Sequence, residues 1–227
     1  MIELIQFPWS PYCLVQKRIL DFSGVRHKTT NIQPSDRSLI WRLTKERYYQ
    51  VPIVRKGHDV LFETDENSQV IAKFLDGELN LGLFPHRWDG IQDVLWRYIE
   101  NDVESMTFKL NDVHFRKFVP YPEQMPYLRF KERRFGRGCL AQWSEQQASM
   151  QQELAHRLMP FEEMLAHRDF LLEEKPHFVD FDLWGMLANY LYSGSYKLPS
   201  ELPQIQQWYE RLSKIKFTDV QREKLHT

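Results

Sequence analysis

The apolar positions in the first part of the chain change from a short run to helical spacing. Residues 2–7 are a mainly apolar run, and residues 14–22 then place apolar side chains at intervals of three and four. The run predicts a buried strand, and the spacing predicts one face of a helix. Between them, Ser10 and Pro11 suit the N-cap and the first position of that helix, and Gly24 suits its C-cap. We therefore predict a strand, a sharp loop and a helix.

Further patterns complete the N-terminal part. Polar alternation over residues 26–32 predicts a second strand, and the leucine and isoleucine spacing of residues 34–45 predicts a second helix. Residues 50–54 and 60–63 are apolar runs around a glycine-containing turn, which is typical of a hairpin. Cap residues at 65–68 then precede the apolar positions of a third helix. The predicted order is βαβα followed by ββα.

The C-terminal part has helical spacing throughout. Residues 77–87 hold two glycines and a proline and lose any sustained period, so we place a linker at 80–87 between domains at 1–79 and 88–227. The helices predicted in the second domain share an apolar stripe with a period near 3.6. They cover residues 91–110, 125–134, 141–165 with a kink or break at Pro160, 178–192 and 202–214.

Pro52 interrupts the apolar run at residues 50–54. Proline has no N–H to donate to a strand ladder, so it is found at sheet edges or where a cis bond turns the chain. Both alternatives stay open on the sequence alone.

Composition and charge narrow the class of protein. The 227 residues are 42% hydrophobic and 14% aromatic, which is enough for a packed core and excludes a disordered or fibrous chain. Thirty basic and 31 acidic residues give a net charge of -1, so we expect neither nucleic-acid nor membrane-surface binding. The basic segment 129–137 is interpreted as a solvated helix face, or as the source of one arginine that faces a cleft. No apolar run reaches the length of about 18 residues needed to span a membrane.

The two cysteines and the histidines show no metal-ligand spacing, so no metal is predicted. The distant pair Cys13 and Cys139 is no disulfide framework, and the chain opens on a strand pattern without a secretory signal. A reducing cytoplasm is therefore the expected location.

Candidate chemistry centres on Ser10-Pro11-Tyr12-Cys13. A cysteine in place of Ser10 would make a C-x-x-C redox motif at a helix N-terminus, but only the inner thiol is present and no internal disulfide can form. The hydroxyl and the free amides of a helix N-terminus suit an anion such as a bound thiolate. Alternatively Ser10 only caps the helix, and Cys13 is either a buried, inert side chain or, if exposed, a thiol that forms mixed disulfides.

The ordered set of motifs resembles the cytosolic glutathione S-transferase family over nearly the whole chain. The motifs are Ser10-Pro11, Val51-Pro52, Asn67-Ser68, residues 71–75 and residues 178–184. The resemblance implies an α/β thioredoxin-like N-terminal domain and an all-helical C-terminal domain. It also implies a homodimer that uses glutathione as co-substrate and transfers it to a small electrophile, as in detoxification. Residues 130–136 are also faintly similar to a segment of bacterial glutathione-dependent β-etherases, which implies an ether substrate.

The family's binding residues transfer to named positions. The resemblance implies that Ser10 meets the sulfur of glutathione, that the Val51 main chain binds its cysteinyl backbone, and that Pro52 is the family's cis-proline. Ser68 would receive the γ-glutamyl carboxylate with help from the helix N-terminus. The family's acidic residue before that serine is here Asn67, with Glu66 just upstream, so the partner of the γ-glutamyl amine is undecided.

The second substrate is expected where the first loop faces the helical domain. We predict that Trp9, Tyr12 and Phe115 form walls of that pocket. A different class of function also fits: a binding or regulatory module of the same fold with little chemistry, suggested by Asn67. A thiol redox protein that uses Cys13 is a third hypothesis. In the helical domain, Asp180 can cap its helix with His177, which is a weaker capping partner than the family's Ser or Thr.

Overall fold

A computed structural model describes residues 1–63 and 69–223 and shows a four-stranded sheet followed by helices. The strands are β1 (Ile2–Gln6), β2 (His27–Asn31), β3 (Ile53–Lys56) and β4 (Asp59–Leu61). Their order in the sheet is β2-β1-β3-β4; β1 pairs parallel to β2 and antiparallel to β3, and β3 pairs antiparallel to β4. The apolar strand β1 is buried along its length, while the polar strand β2 forms an edge. The predicted strand order along the chain is confirmed.

Three helices accompany the sheet: α1 (Pro11–Ser23), α2 (Ser38–Leu43) and α3 (Val70–Leu79). Helix α1 begins and ends as predicted, with Ser10 at its N-cap and Gly24 in the left-handed conformation at its C-cap. Helix α2 is shorter than the predicted 34–45. The Asp36 carboxylate accepts the N–H of Ser38 at 2.9 Å and starts the helix late, and Lys45 and Glu46 have positive φ beyond its end.

The Val51-Pro52 peptide bond is cis. Strand β3 begins only at Ile53 and lies inside the sheet between β1 and β4, so the edge-strand alternative for Pro52 is wrong. Because ladder pairing with β1 starts at Ile53, the Val51 backbone lies beyond the paired strand.

The second half of the described chain is helical, as predicted. A π-helical turn at Ile99–Val103 joins the first two of its helices. The prediction for 141–165 is partly wrong, because this segment is two helices and the second continues through Pro160. The helices are α4 (Asp89–Tyr98), α5 (Glu104–Asp112), α6 (Tyr121–Phe135), α7 (Cys139–Glu145), α8 (Gln147–Leu165), α9 (Phe178–Leu191), α10 (Pro203–Lys214) and α11 (Phe217–Glu223). Within the described residues, no helix combines the length and the apolar composition needed to cross a bilayer.

Helix α9 joins the two halves, because most of its residues are buried and it packs directly against α1. The ring of Phe22 on α1 lies 5.1 Å from that of Phe181 on α9. On the same side, the buried Arg18 guanidinium donates to the backbone carbonyls of Leu212 and Ile215, both at 2.6 Å. These contacts fix the position of α1, and with it the loop that carries Ser10.

Candidate functional site

A cavity of about 330 Å³ lies where the loop before α1 faces α5 and α6. Ser10 and Val51 both line the cavity. The lining residues combine aromatic rings, three basic side chains and two acidic ones. The segment before α1 contributes Phe7, Trp9 and Ser10, and α1 contributes Pro11 and Tyr12. The segments before α2 and before β3 contribute Pro34, Arg37, Gln50 and Val51. The helices α5, α6 and α9 contribute Glu104, Phe108, Asp112, Pro126, Tyr127, Phe130, Lys131, Arg134, Phe135 and Asn189.

The Ser10 hydroxyl does not cap α1. Its backbone is extended (φ -66°, ψ 128°), and its carbonyl accepts the Leu14 N–H at 2.9 Å, but its side chain makes no capping hydrogen bond. The amides of Tyr12 and Cys13 in the first turn are therefore not satisfied by the Ser10 side chain. An anion beside Ser10 would meet a hydroxyl donor and the positive end of the helix.

Cys13 is buried one turn inside α1 and has no exposed surface. Burial raises the pKa of its thiol to about 12, against the smaller opposing effects of hydrogen bonds with Ser10 and with the Phe7 backbone. A thiol with this pKa is protonated at neutral pH, and the thiolate is the nucleophilic form. The structure therefore supports the interpretation of Cys13 as an inert core residue.

Asn189 of α9 holds the first loop from the helical side. Its Nδ2 donates to the backbone carbonyl of Trp9 at 2.7 Å, and the side chain is buried although it lines the cavity. This contact spans 180 positions and fixes the residue directly before Ser10. The sequence analysis missed Asn189. The available signal was a polar residue in the largely apolar helix 178–191.

The aromatic wall differs from the predicted one in one member. Trp9 and Tyr12 line the cavity as expected, and the Trp9 ring stacks on Phe7 with centroids 5.5 Å apart. Phe115 lies behind the wall, only 4% exposed, with its ring stacked on Tyr127. Tyr127, whose ring also contacts Trp9, is the residue that meets the cavity. Phe115 therefore supports the pocket from the second layer.

A buried ion pair fixes Tyr127. The Lys131 ammonium lies 2.5 Å from the Asp112 carboxylate, which also accepts the Tyr127 hydroxyl at 2.6 Å. The ammonium lies 5.1 Å from the centroid of the Phe108 ring and 5.3 Å from that of Tyr127. Because Asp112 neutralises Lys131, this wall presents mainly aromatic surface. Arg134 also lines the cavity, as the alternative interpretation of the basic segment expected.

Three acidic side chains approach one another behind and beside Tyr12. Burial raises the pKa of Glu100 and of Glu104 to about 7. Burial and the charges of these two residues raise the pKa of Asp182, which is 1% exposed, well above its usual range. Burial, with the charges of Glu104 and Glu100, also raises the pKa of the Tyr12 phenol. Much of this cluster is therefore protonated near neutral pH.

Stability should therefore depend on pH through this cluster. A carboxyl whose pKa is raised in the folded state lowers the free energy of unfolding as the pH increases. Its stabilising contribution is fully present below the unfolded-state pKa of about 4, and it is lost as the pH rises through the folded-state pKa, which is about 7 for the two glutamates. Each such group contributes a slope of about 1.4 kcal/mol per pH unit. We expect Asp182→Asn to flatten the decline in the free energy of unfolding between pH 5 and pH 8, as measured by urea denaturation. Equal slopes in the wild type and the variant would contradict this role.

The N-terminus of α3 is already in contact with an acidic side chain. The Glu63 carboxylate accepts the N–H of Val70 at 2.8 Å and the N–H of Ile71 at 3.2 Å. The expected glutathione contacts Glu66, Asn67 and Ser68 lie outside the described residues, which resume at Gln69. Helix α3 begins at Val70, the first of the apolar positions that the cap residues at 65–68 were predicted to precede. In the described residues, no group of three or more His, Cys, Asp or Glu side chains could hold a metal ion.

The fold and the cavity define a class. A small mixed sheet with α1 directly after β1, a cis-proline before β3 and a helical domain that packs against α1 form a thioredoxin-like domain followed by an all-helical domain. No protein-family model and no curated protein matches the sequence.

Solved structures nevertheless share this architecture, and the chain has the fold of the glutathione S-transferases. One is the glutathione transferase GSTFuA3 from Phanerochaete chrysosporium, with a TM-score of 0.79, 16% identity, and coverage of 93% of this chain and 96% of that one. A second is the glutathione S-transferase CsGST63524 of Ceriporiopsis subvermispora in complex with glutathione, with a TM-score of 0.73, 16% identity, and coverage of 93% of this chain and 94% of that one. A third is glutaredoxin 2 from Salmonella typhimurium in complex with glutathione, with a TM-score of 0.73, 14% identity, and coverage of 97% of this chain and 98% of that one.

Proposed function

We propose that the protein is a glutathione transferase in which Ser10 stabilises the thiolate of bound glutathione. The observation that carries this proposal is the Ser10 hydroxyl at the N-terminus of α1, which makes no capping hydrogen bond to the helix. It lies in a cavity that is closed on the opposite side by aromatic side chains. In this proposal the Val51 backbone binds the cysteinyl part of the tripeptide, and Pro52 holds the turn before β3. Glu66, Asn67 and Ser68, which lie outside the described residues, would bind the γ-glutamyl end in this proposal.

The energetics of thiolate formation agree with this arrangement. A thiol with an ordinary pKa of about 8.5 needs about 2.7 kcal/mol of preferential stabilisation to lower that pKa by two units. A helix N-terminus supplies about 0.3–2 kcal/mol. A hydrogen bond from a neutral hydroxyl to the anion adds about 1.5–3 kcal/mol. Together the two reach the requirement, so Ser10 acts as a donor to the sulfur and the nucleophile is the sulfur of glutathione.

Cys13 is excluded from this role because its thiol is buried and protonated. The site therefore favours transfer over dithiol redox chemistry. The electrophile would occupy the part of the cavity between Tyr12 and the wall formed by Phe108 and Tyr127. These rings suit a flat, largely apolar molecule.

Ser10→Ala is expected to lower kcat/KM with 1-chloro-2,4-dinitrobenzene about 10- to 100-fold at pH 6.5, since the variant loses one hydrogen bond to the thiolate. The pH at which the rate reaches half of its plateau should rise by one to two units. Steady-state rates measured between pH 5.5 and 9 test both effects. The matched control is Ser10→Thr, which keeps a hydroxyl and should keep the position of the acidic limb. An alanine variant with wild-type rate and pH profile would remove Ser10 from the mechanism.

A second candidate function is a binding or regulatory module with little chemistry, which the Glu63 contact favours. The amides of Val70 and Ile71 donate to the Glu63 carboxylate, so a ligand carboxylate would have to displace it there. Calorimetry with glutathione separates the two candidates. Millimolar-range or tighter binding together with turnover supports the transferase, whereas binding without turnover, or no binding, supports the module. The homodimer, the cytoplasmic location and the absence of nucleic-acid and membrane partners stay predictions from the sequence.

A further inference from the structure

The two polar atoms of the Asn189 side chain, which is 1% exposed on α9, have different surroundings. Its Nδ2 donates to the Trp9 carbonyl at 2.7 Å, whereas its buried Oδ1 has no partner among the described residues. We propose that Asn189 is a positioning residue for Ser10: it holds the peptide unit before Ser10 so that the hydroxyl meets the sulfur of bound glutathione. This inference rests on the proposed glutathione transfer and adds to it a residue of the helical domain.

The hydrogen bond of Asn189 brings the fold little net stability. A backbone carbonyl can only accept a hydrogen bond, so the amide nitrogen must face Trp9 and Oδ1 is left without a donor. An apolar residue of the same size would leave one buried acceptor without a donor as well. That acceptor is the Trp9 carbonyl, for which no other donor is found in the described residues. Either acceptor is costly, so the main effect of the bond is on the geometry of the loop.

The peptide unit between Trp9 and Ser10 is held at both ends. Its carbonyl accepts from Asn189, and its N–H, which belongs to Ser10, donates to the Phe7 carbonyl at 3.1 Å. Because a peptide unit is planar, these two bonds together fix the direction in which the Ser10 Cα leaves it. The Ser10 carbonyl in turn accepts the Leu14 N–H at 2.9 Å. The hydroxyl is therefore carried by a backbone that is fixed on both sides.

Helix α9 is a rigid support for this contact. Gly185 lies one turn before Asn189 on the same face of α9, and a Cβ at Gly185 would lie 3.0 Å from the Pro11 carbonyl oxygen. So close an approach leaves α9 little room to move against α1. The Trp9 ring is held as well, because its centroid lies 6.3 Å from that of Tyr127. The distance from α9 to the loop is thus set by packed elements, which is what precise placement of a functional group requires.

The placement of Ser10 matters because the strength of a hydrogen bond falls steeply when its angle is poor. In the proposed mechanism the hydroxyl stabilises the thiolate more than the neutral thiol, so a poorer alignment raises the pKa of the glutathione thiol. The Val51 backbone, which is proposed to bind the cysteinyl part, belongs to a different segment. Loss of the Asn189 amide should therefore change the acidity of the thiol and leave the affinity for glutathione nearly unchanged.

Asn189→Leu removes the amide and nearly keeps the size of the side chain. The ultraviolet absorbance of the thiolate, titrated with pH at saturating glutathione, reports the pKa of the bound thiol. We expect this pKa to rise by about one unit, and kcat/KM with 1-chloro-2,4-dinitrobenzene at pH 6.5 to fall about tenfold. The rate at pH 9 should recover. The Kd of glutathione, measured by calorimetry, should change by less than about threefold, and the urea midpoint should stay close to that of the wild type.

The same substitution in a Ser10→Ala background shows whether Asn189 acts through Ser10. The alanine variant has no hydroxyl to orient, so Asn189→Leu should there add nothing to the rise in thiol pKa that Ser10→Ala alone causes. A general loosening of the site would add its effect in both backgrounds. Asn189→Ala is the second variant, because it removes the same donor without placing a larger apolar group against the loop.

Asn111→Leu is the matched control. Asn111 on α5 is also a buried amide with one bonded end, since its Oδ1 accepts the Ser193 N–H at 3.2 Å and its Nδ2 has no partner among the described residues. It is not one of the residues that line the cavity. We expect the thiol pKa in Asn111→Leu to equal that of the wild type, whatever the substitution does to the urea midpoint.

Four results overturn the inference: an unchanged thiol pKa in the folded Asn189 variants, a rise of equal size in the wild-type and Ser10→Ala backgrounds, a loss of glutathione affinity as large as the loss of rate, or a failure of both Asn189 variants to fold. In each of them Ser10→Ala still raises the thiol pKa and the proposed function stands. A wild type that does not bind glutathione, or whose bound thiol has the pKa of free glutathione, refutes the proposed function and this inference together.

Discussion

Gly185→Ala is expected to lower the free energy of unfolding by about 3 kcal/mol, among the largest effects of any single methyl group added to this fold. A Cβ at position 185 would lie 2.3 Å from Cγ2 of Val15, and 3.0 Å from both the Pro11 carbonyl oxygen and the Val15 backbone nitrogen. A rotamer change of Val15 relieves only the first of these contacts. The two backbone atoms belong to α1, so the helix itself has to move away from α9.

Urea denaturation measures this loss, and Gly77→Ala is the matched control. Gly77 lies inside α3, where an added Cβ meets no atom within 4 Å. Alanine should there stabilise the protein by about 0.5–1 kcal/mol, as expected from helix propensity. Because Pro11 follows Ser10 directly, Gly185→Ala should also lower the proposed glutathione-transfer activity in the molecules that remain folded. A variant within 1 kcal/mol of the wild type would show that α1 and α9 adapt more freely than their close approach indicates.

The N-terminal elements could be predicted because local residues determine them. The apolar run of β1, Pro11 at the start of α1 and Gly24 at its end each act within a few residues, and the structure confirms all three. Helix α2 was predicted too long because the ends depend on particular contacts. The Asp36 carboxylate accepts the N–H of Ser38, which is the fifth residue of the predicted segment 34–45 and the first residue of α2, and no periodicity reports such a side-chain bond.

The cavity walls could be predicted only where the sequence places them beside Ser10. Trp9 and Tyr12 lie within two residues of Ser10 and had to be near it. Phe115 and Tyr127 are twelve residues apart, and their order from the cavity depends on how the segment between α5 and α6 packs against α6. Asn189 and Glu104 were missed for the same reason. Each reaches the site from a helix far away in sequence, and a lone Asn or Glu in a helical pattern carries no sign of its direction.

Asp180→Ala is the other substitution for which we expect a large effect, a loss of about 3 kcal/mol or more in the free energy of unfolding. The carboxylate is fully buried; one oxygen accepts the N–H of Leu171 at 2.9 Å and the Nε1–H of Trp208 at 3.0 Å, and the other accepts the N–H of His177 at 2.9 Å. Alanine would leave three buried donors without an acceptor, at about 1–3 kcal/mol each before relaxation. The hydrogen bond from the His177 N–H to Asp180 is one half of the predicted capping box, and this half does not involve the His177 side chain.

Two further variants separate the acceptor role of Asp180 from its charge. Asp180→Asn keeps one oxygen and places an amide donor against an existing donor, so its loss should lie between those of the wild type and alanine. Trp208→Phe removes one donor and leaves no group of its own unsatisfied, so Asp180→Ala should cost less in that background than in the wild type. Because burial raises the pKa of Asp180 to about 6, the unfolding curves are measured at pH 8, where the carboxylate is ionised in both states. Equal losses in the two backgrounds would show that the hydrogen bond from Trp208 contributes nothing. A loss below 1 kcal/mol in the wild-type background would contradict the role of Asp180 in joining α9 to α10 and to the segment before α9.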